Sequence, residues 1–227
     1  MPGPIFVFSG NVGGGGSPPS SFSASLTRLF GSPFEIGAQL INPTFTATYS
    51  PIGTETSATL QDNDGNPVQN VLALPNPLTM PFTYQRDTIG GSVTWTLNAS
   101  DGVNNDSDNV SATWLPRVYW GVDANPALAT EADIEGLTNN GLQSNKALNF
   151  TFSATNEYVY YGFPTAFPAA PLDFQIGPFP GGFIQQVASV NVTANTPGAP
   201  VLTYQLWRST NALNTSISGP QTLVVSA

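Results

Sequence analysis

Hydrophobic and polar residues alternate along short segments of this chain, and turn-forming residues separate the segments. In "SVTWTLNAS", Val93, Trp95 and Leu97 fall on one face and threonines on the other. This period of two is typical of an antiparallel strand with one buried face. From residue 32 to residue 116, such strands recur every 8–12 residues or so, which is the spacing of a β-sandwich. The pattern predicts an all-β fold.

Turn signals divide this first part of the chain. Asn42-Pro43, Asp64-Gly65 and Gly90-Gly91 each lie between two predicted strands, and these residue types favour tight turns. Six or seven short strands around a core tryptophan predict an immunoglobulin-like sandwich over residues 32–116. It has no disulfide, because the chain contains no cysteine.

The segment "LPRVYWG", residues 115–121, predicts a boundary between two modules with almost no linker. Pro116 has no N–H and cannot continue an interior ladder, whereas Val118 to Trp120 restart a strand. Residues 117–227 are expected to form a second sandwich or jelly-roll-like module. Arg117 is one of only five cations beside 14 acidic residues, so we expect it to pair with a carboxylate at the junction.

The second module contains one predicted helix. In "TEADIEGL", Thr130 is the expected N-cap and acidic residues occupy the first turn. Ile134 and Leu137 are spaced to share one face.

The first 31 residues predict a flexible arm. "GGGGSPPSS" follows an isolated apolar run of four residues, which are Ile5, Phe6, Val7 and Phe8. One interpretation is a disordered terminus. The other is a partner-binding peptide that adds as a strand to the sheet edge of a neighbouring subunit.

The charge content is low, and it excludes several classes of partner. Charged residues make up 8% of the chain and the net charge is −9. With no basic stripe to neutralise phosphates, we expect no nucleic-acid partner. No stretch of about 18 apolar residues is present, the chain starts without a signal-peptide pattern, and we expect no membrane insertion.

The residue types needed for common catalytic sites are missing. Without histidine or cysteine, neither a Ser-His-Asp triad nor a zinc site can form. The acidic turns have three interpretations, namely solvated turns, a calcium site at Asp62 and Asp64, or a glycoside hydrolase pair drawn from Asp62, Asp64, Asp101, Asp106 and Asp108. We expect solvated turns, no cofactor and no enzymatic activity.

Aromatic residues supply the remaining candidates. Tyr119 and Trp120, next to Arg117, are candidate glycan contacts, and core filling is the alternative. The proline-rich segment 163–183 contains Phe167, Phe174 and Phe179. Long loops of this kind are often functional, so these three phenylalanines are candidate partner contacts together with Arg117.

Four segments of the second module carry a family resemblance. They are "RVYWG", "TEADIEGL", "EYVYYGFP" and "LTYQLWRS", and they are similar to the C-terminal β-modules of tailed-bacteriophage virion proteins. Such a module often follows an immunoglobulin-like unit, so the resemblance covers residues 32–227. It implies a non-enzymatic structural component of the head or tail of a virion. The expected partners are other virion proteins and copies of itself. The alternative is a carbohydrate-binding or adhesion module that contacts the host surface.

Overall fold

The computed structural model describes residues 22–51, 54–74, 76–167, 173–177, 179–180, 182–193, 200–215 and 220–226. Within these ranges the chain forms strands and one short helix, and the predicted all-β class is confirmed. The elements are β1 (Ser23–Arg28), β2 (Phe34–Glu35), β3 (Leu40–Ile41), β4 (Thr44–Ser50), β5 (Ser57–Asp62), β6 (Gln69–Asn70), β7 (Leu78–Thr79), β8 (Thr83–Tyr84), β9 (Ser92–Ser100), β10 (Asn105–Leu115), β11 (Arg117–Asp123), α1 (Glu131–Glu135), β12 (Asn139–Leu142), β13 (Leu148–Phe152), β14 (Thr155–Pro164), β15 (Asp173–Ile176), β16 (Phe179–Pro180), β17 (Phe183–Thr193), β18 (Val201–Ser209), β19 (Leu213–Asn214) and β20 (Gln221–Ser226). No helix in this part of the chain is long and apolar enough to cross a membrane.

The first half of the chain is a β-sandwich. One sheet has the order β1-β4-β7, the facing sheet has the order β2-β10-β9-β5-β6, and β3 pairs with β8. The short strand β2 runs parallel to β10, and the other pairs are antiparallel. Trp95 is fully buried between the sheets, where its ring lies 5.2 Å from Phe45 and 5.1 Å from Tyr84. The alternation read from "SVTWTLNAS" therefore identifies a central core strand.

The arm is shorter than the sequence pattern indicates. Residues 22–28 belong to the sandwich, because β1 pairs with β4 along its whole length and Phe22 and Leu26 are buried in the core. The physical reason is a period-two pattern inside a serine-rich stretch, with apolar residues inward and hydroxyls outward. The expected boundary at residue 31 is corrected to before Phe22. Residues 1–21, including Ile5, Phe6, Val7 and Phe8, lie outside the described residues.

The second half contains two further sheets and two cores. One sheet has the order β12-β11-β14-β18-β17, with β19 also pairing with β14, and the other has the order β13-β20-β15-β16. Strand β14 is buried on both faces from Val159 to Pro164. Tyr161 and Phe163 pack in the core between the sheets, and Tyr160 packs in a second core on the opposite face. Coverage on both sides explains why "YVYYGFP" reads as a continuous apolar run.

The helix α1 covers the second of these cores, and its prediction is confirmed. The Thr130 hydroxyl accepts from the Asp133 amide, and the Asp133 carboxylate accepts from the Thr130 amide, which completes a capping box. Ile134 and Leu137 are buried in the core with Tyr160.

Candidate interaction surface

The outer face of the sheet that contains β5, β9 and β10 consists of hydroxyl and amide side chains. Period-two alternation sends the apolar residues of these strands inward and leaves the other positions outside. We call this set the outer polar face, and its members are Ser57, Thr59, Gln61, Thr94, Thr96, Asn98, Ser100, Asn105, Ser107, Asn109 and Ser111. None of these described side chains is charged.

The register places these side chains in rows across the three strands. Thr59, Asn98 and Ser107 form one row. The hydroxyls of Thr94 and Ser111 in another row are hydrogen-bonded at 2.8 Å. Side chains directly opposite on neighbouring strands lie about 5 Å apart, so the face is a continuous array of neutral donors and acceptors. The alternating hydroxyl and amide positions in "SVTWTLNAS" and "NDSDNVSAT" are the sequence signal for this face.

The opposite sheet of the sandwich presents a second face of the same kind. Ser25 and Thr27 of β1 lie opposite Thr48 and Thr46 of β4, and the hydroxyls of Ser25 and Thr48 are hydrogen-bonded at 2.5 Å. Both outer sides of the sandwich are therefore uncharged along these strands.

A shallow polar groove lies at the hairpin end of the outer polar face. It has a volume of about 430 Å³, and Thr59, Asn98, Ser100, Asn105 and Ser107 contribute to its walls. Asp106 also lines the groove, which therefore offers amide and hydroxyl groups and one carboxylate, without an aromatic platform.

The aspartates of β10 anchor the first strand. The Asp106 carboxylate accepts from the Ala24 amide at 2.7 Å, and the Asp108 carboxylate accepts from the Leu26 amide at 2.7 Å. Their spacing of two residues along β10 matches the spacing of the two amides along the free edge of β1. These carboxylates, weighed as a hydrolase pair from the sequence, serve as structural acceptors.

The Asp62 and Asp64 carboxylates are likewise used within the fold. Asp62 accepts from the Tyr84 hydroxyl at 2.6 Å and from the Asn66 side-chain amide at 3.0 Å. Burial raises the pKa of Asp62, but these hydrogen bonds and two backbone amides outweigh it, and the pKa lies below its usual value. Asp64 forms an ion pair with Arg86.

This arrangement does not favour the calcium alternative. Calcium needs six or more oxygen ligands, and no group of three or more acidic side chains that could hold a metal occurs among the described residues.

Arg117 pairs with a carboxylate, as expected from the sequence. Its Nε and Nη2 donate to the two carboxylate oxygens of Glu35 at 3.2 and 2.7 Å, and Nη1 donates to the Asn140 side chain. Glu35 lies in β2 of the first sandwich and Arg117 begins β11 of the second half. This bidentate ion pair therefore joins the two halves, which only Pro116 separates along the chain. Arg117 is therefore a junction residue, and contact with a partner protein by Arg117 stays a prediction.

Tyr119 and Trp120 do not form a joint glycan-binding platform. They point to opposite faces of β11, since neighbouring strand residues alternate. Tyr119 is 1% exposed and packs edge-on against Tyr204, with 5.8 Å between the ring centres. Trp120 is half-buried against Phe150. The glycan contact predicted for Tyr119 is wrong because both faces of this sheet are covered.

Phe167 and Phe174 are core residues rather than partner contacts. They are 3% and 4% exposed. Phe167 stacks on Phe163, and Phe174 lies 4.3 Å from Phe183 with nearly parallel rings. The prediction of partner contact is wrong for this pair. Phe179 lies in β16, and its side chain is outside the described set.

Comparison of the chain with protein-family models, curated proteins and solved structures finds no match.

Proposed function

We propose that this chain is a non-enzymatic structural subunit of a bacteriophage virion, attached to neighbouring subunits through uncharged surfaces. The observation that carries the proposal is the outer polar face. The cores of protein interfaces are depleted of charged side chains, because stripping water from a charge costs more than the contact returns unless the charge is well paired. A neutral array can exchange its water for hydrogen bonds to a partner without that cost.

The use of the charged groups supports the same proposal. Asp106 and Asp108 hold β1, Arg117 and Glu35 hold the junction, and the Asp133 carboxylate completes the cap of α1. These ionisable side chains stabilise the fold, which suits a protein that acts by shape and contact. The resemblance of the second module to phage virion proteins supplies the setting.

Light scattering after gel filtration tests the proposal on the full chain. We expect a multimer, and we expect the Asn98→Asp, Asn109→Asp double variant to shift it towards the monomer, because two carboxylates on the outer polar face oppose desolvation. The Asn125→Asp, Asn211→Asp double variant adds the same charge at exposed positions off this face and should keep the parent mass.

A chain that starts at Phe22 separates the contribution of the arm. Loss of the multimer on this truncation alone would assign attachment to residues 1–21. A full chain that stays monomeric at every concentration tested would contradict self-association.

Carbohydrate binding is the second candidate function, and the polar groove favours it. Amide and hydroxyl groups of the kind that line this groove can hydrogen-bond sugar hydroxyls. A glycan array probed with the full chain and with the Ser100→Ala, Asn105→Ala variant tests it. Binding that is weakened in the variant supports the groove, and an array without signal removes this candidate.

A further inference from the structure

Beside β4, the first sandwich contains a pocket that the proposed function does not use. We call it the β4 pocket. It has a volume of about 290 Å³ and lies between β4 and the segment 71–78. Leu72 and Leu74 line it and are 38% and 49% exposed, so a group that enters from solvent can reach their side chains. An open cavity with aliphatic walls indicates a binding surface.

The backbone of β4 has a free edge where it borders this pocket. The Leu29 amide donates to the Thr44 carbonyl, so the backbone groups of Thr44 face β1 and those of the alternate residues face away from it. On that far side the Asn76 side chain bonds to both backbone groups of Ala47, at 3.1 and 2.8 Å. The N–H and C=O of Tyr49 point the same way, past the short strand β7, and no described residue bonds to them. An extended segment could therefore continue the sheet there.

The first 21 residues supply a segment that matches this site. They contain one apolar run, Ile5–Phe8, and no charged side chain. In an extended run, alternate side chains fall on opposite sides. One pair can then pack on the walls of the β4 pocket while the backbone bonds to the edge of β4, as in other cases of strand addition.

The run can reach the pocket of its own chain. Ser23 pairs with Ser50, so β1 begins beside the end of β4, and the position on the far side of β4 is two strand spacings away, about 10 Å. Residues 9–21 link the run to Phe22, and a Gly- and Ser-rich segment of this length spans about 20 Å on average. Such a tether gives an effective concentration in roughly the millimolar range. This favours the pocket of the same chain over that of a neighbour.

We propose that Ile5–Phe8 adds as a short strand to the free edge of β4 in its own chain and covers Leu72 and Leu74. The added strand bonds to the backbone of Tyr49, and one of its faces fills the β4 pocket. This inference goes beyond the proposed function, because it gives the apolar run an internal role and leaves attachment to the outer polar face.

Residue-resolved hydrogen exchange of the full chain tests the contact. In the Phe6→Asp, Val7→Asp variant one carboxylate falls on each side of the run, so either face would have to desolvate a charge in order to dock. We expect the Tyr49 amide to exchange at least about tenfold faster in this variant than in the parent. The Ser9→Asp, Asn11→Asp variant places the same charges just outside the run and should exchange like the parent. Equal protection of β9 in all three chains confirms the fold.

Introduced cysteine pairs distinguish the chain's own pocket from that of a neighbour, since the chain has no cysteine. Ala73 is exposed between the two leucines. In Ser9→Cys, Ala73→Cys, a disulfide within one chain should form at least about tenfold faster than in Ser9→Cys, Val103→Cys. Val103 is 88% exposed in the β9–β10 hairpin, near the start of β1, so a tether without a docking site would reach both positions. The mass under denaturing, non-reducing conditions shows whether one chain or two are joined.

Three results would overturn the proposal. They are equal exchange of the Tyr49 amide in the parent and the Phe6→Asp, Val7→Asp variant, equal rates for the two cysteine pairs, and a disulfide at position 73 that joins two chains. A multimer with an unprotected Tyr49 amide rejects this inference alone. A monomer with a protected Tyr49 amide rejects the proposed self-association alone.

Discussion

Removing the Asp106 and Asp108 carboxylates is the sharpest test of how the first strand is held. Each accepts one backbone amide of β1 at 2.7 Å, and a hydrogen bond to a charged group contributes about 1.5–3 kcal/mol. Leu26 is 4% exposed, so its amide would stay without a partner in Asp108→Ala, and we expect a loss of about 2 kcal/mol there. Ala24 is half-buried, water can reach it, and Asp106→Ala should cost about 1–1.5 kcal/mol.

The double variant should lose about 3–4 kcal/mol of unfolding free energy, since both bonds hold the same strand. At roughly 2–4 °C per kcal/mol for a chain of this size, the melting temperature should fall by about 10 °C. Urea denaturation measures the loss. Amide hydrogen exchange of Ala24 and Leu26 locates it, because β1 should open more often while β9 keeps its protection.

Asp87→Ala is the control for this pair. It removes one negative charge from an exposed site, so relief of the overall negative charge is the same for each substitution, and its effect should stay within about 0.5 kcal/mol. The reasoning is refuted if the double variant is as stable as this control, or if exchange of the two β1 amides does not change.

Three further predictions follow from the junction, a buried tyrosine and a tightly packed glycine. Arg117→Met should lower the free energy of unfolding by about 2–3 kcal/mol, because the Glu35 carboxylate, which is 11% exposed, loses its partner. A double-mutant cycle with Glu35→Gln measures the coupling between the two side chains, and additive effects of the single substitutions would contradict it. Burial and the nearby Glu35 charge raise the pKa of Tyr119 to about 12. The folded state therefore binds the phenolic proton more tightly than the unfolded state, whose pKa is about 10, so this stabilisation is complete below about pH 10 and is lost as the pH rises towards 12. The difference in tyrosinate absorbance between the parent and Tyr119→Phe isolates this group among the seven tyrosines. That difference should appear together with the change in circular dichroism, and a difference that appears near pH 10 with the fold intact would contradict this. A Cβ added at Gly121 would lie 2.6 Å from the Thr138 hydroxyl and 3.0 Å from the Thr138 backbone nitrogen, whereas at Gly31 no atom lies within 4 Å. The exposed Thr138 side chain can rotate away, but its backbone can move only if the chain shifts. In thermal unfolding Gly121→Ala should therefore lose about 1–3 kcal/mol and Gly31→Ala should not, and equal stability of the two would contradict the packing argument.

The strands and the helix could be read from the sequence because their signals are local. The alternation around Trp95 and the cap at Thr130 depend on residues within a few positions of each other, and both are confirmed. The pairing of Arg117 with a carboxylate followed from the scarcity of cations. Its partner, Glu35, is 82 positions away, and no local pattern names it.

The faces of the aromatic residues could not be read in the same way. A period of two says that Tyr119 and Trp120 lie on opposite sides, but only the arrangement of sheets shows that both sides are covered. The use of Asp106 and Asp108 depends equally on a distant strand, because the amides they bind lie 82 positions earlier in the chain.

The single residue between β10 and β11 has a mechanical consequence. A hinge needs several residues that can change their backbone angles, and here the two strands flank one proline whose φ angle is fixed by its ring. The ion pair of Arg117 with Glu35 crosses the junction and resists bending, and the parallel pairing of β2 with the end of β10 holds Glu35 in place within the first half. We therefore expect a pull or a twist applied to one half of the molecule to pass to the other through β10, Pro116 and β11, because no flexible linker lies between these strands to absorb it.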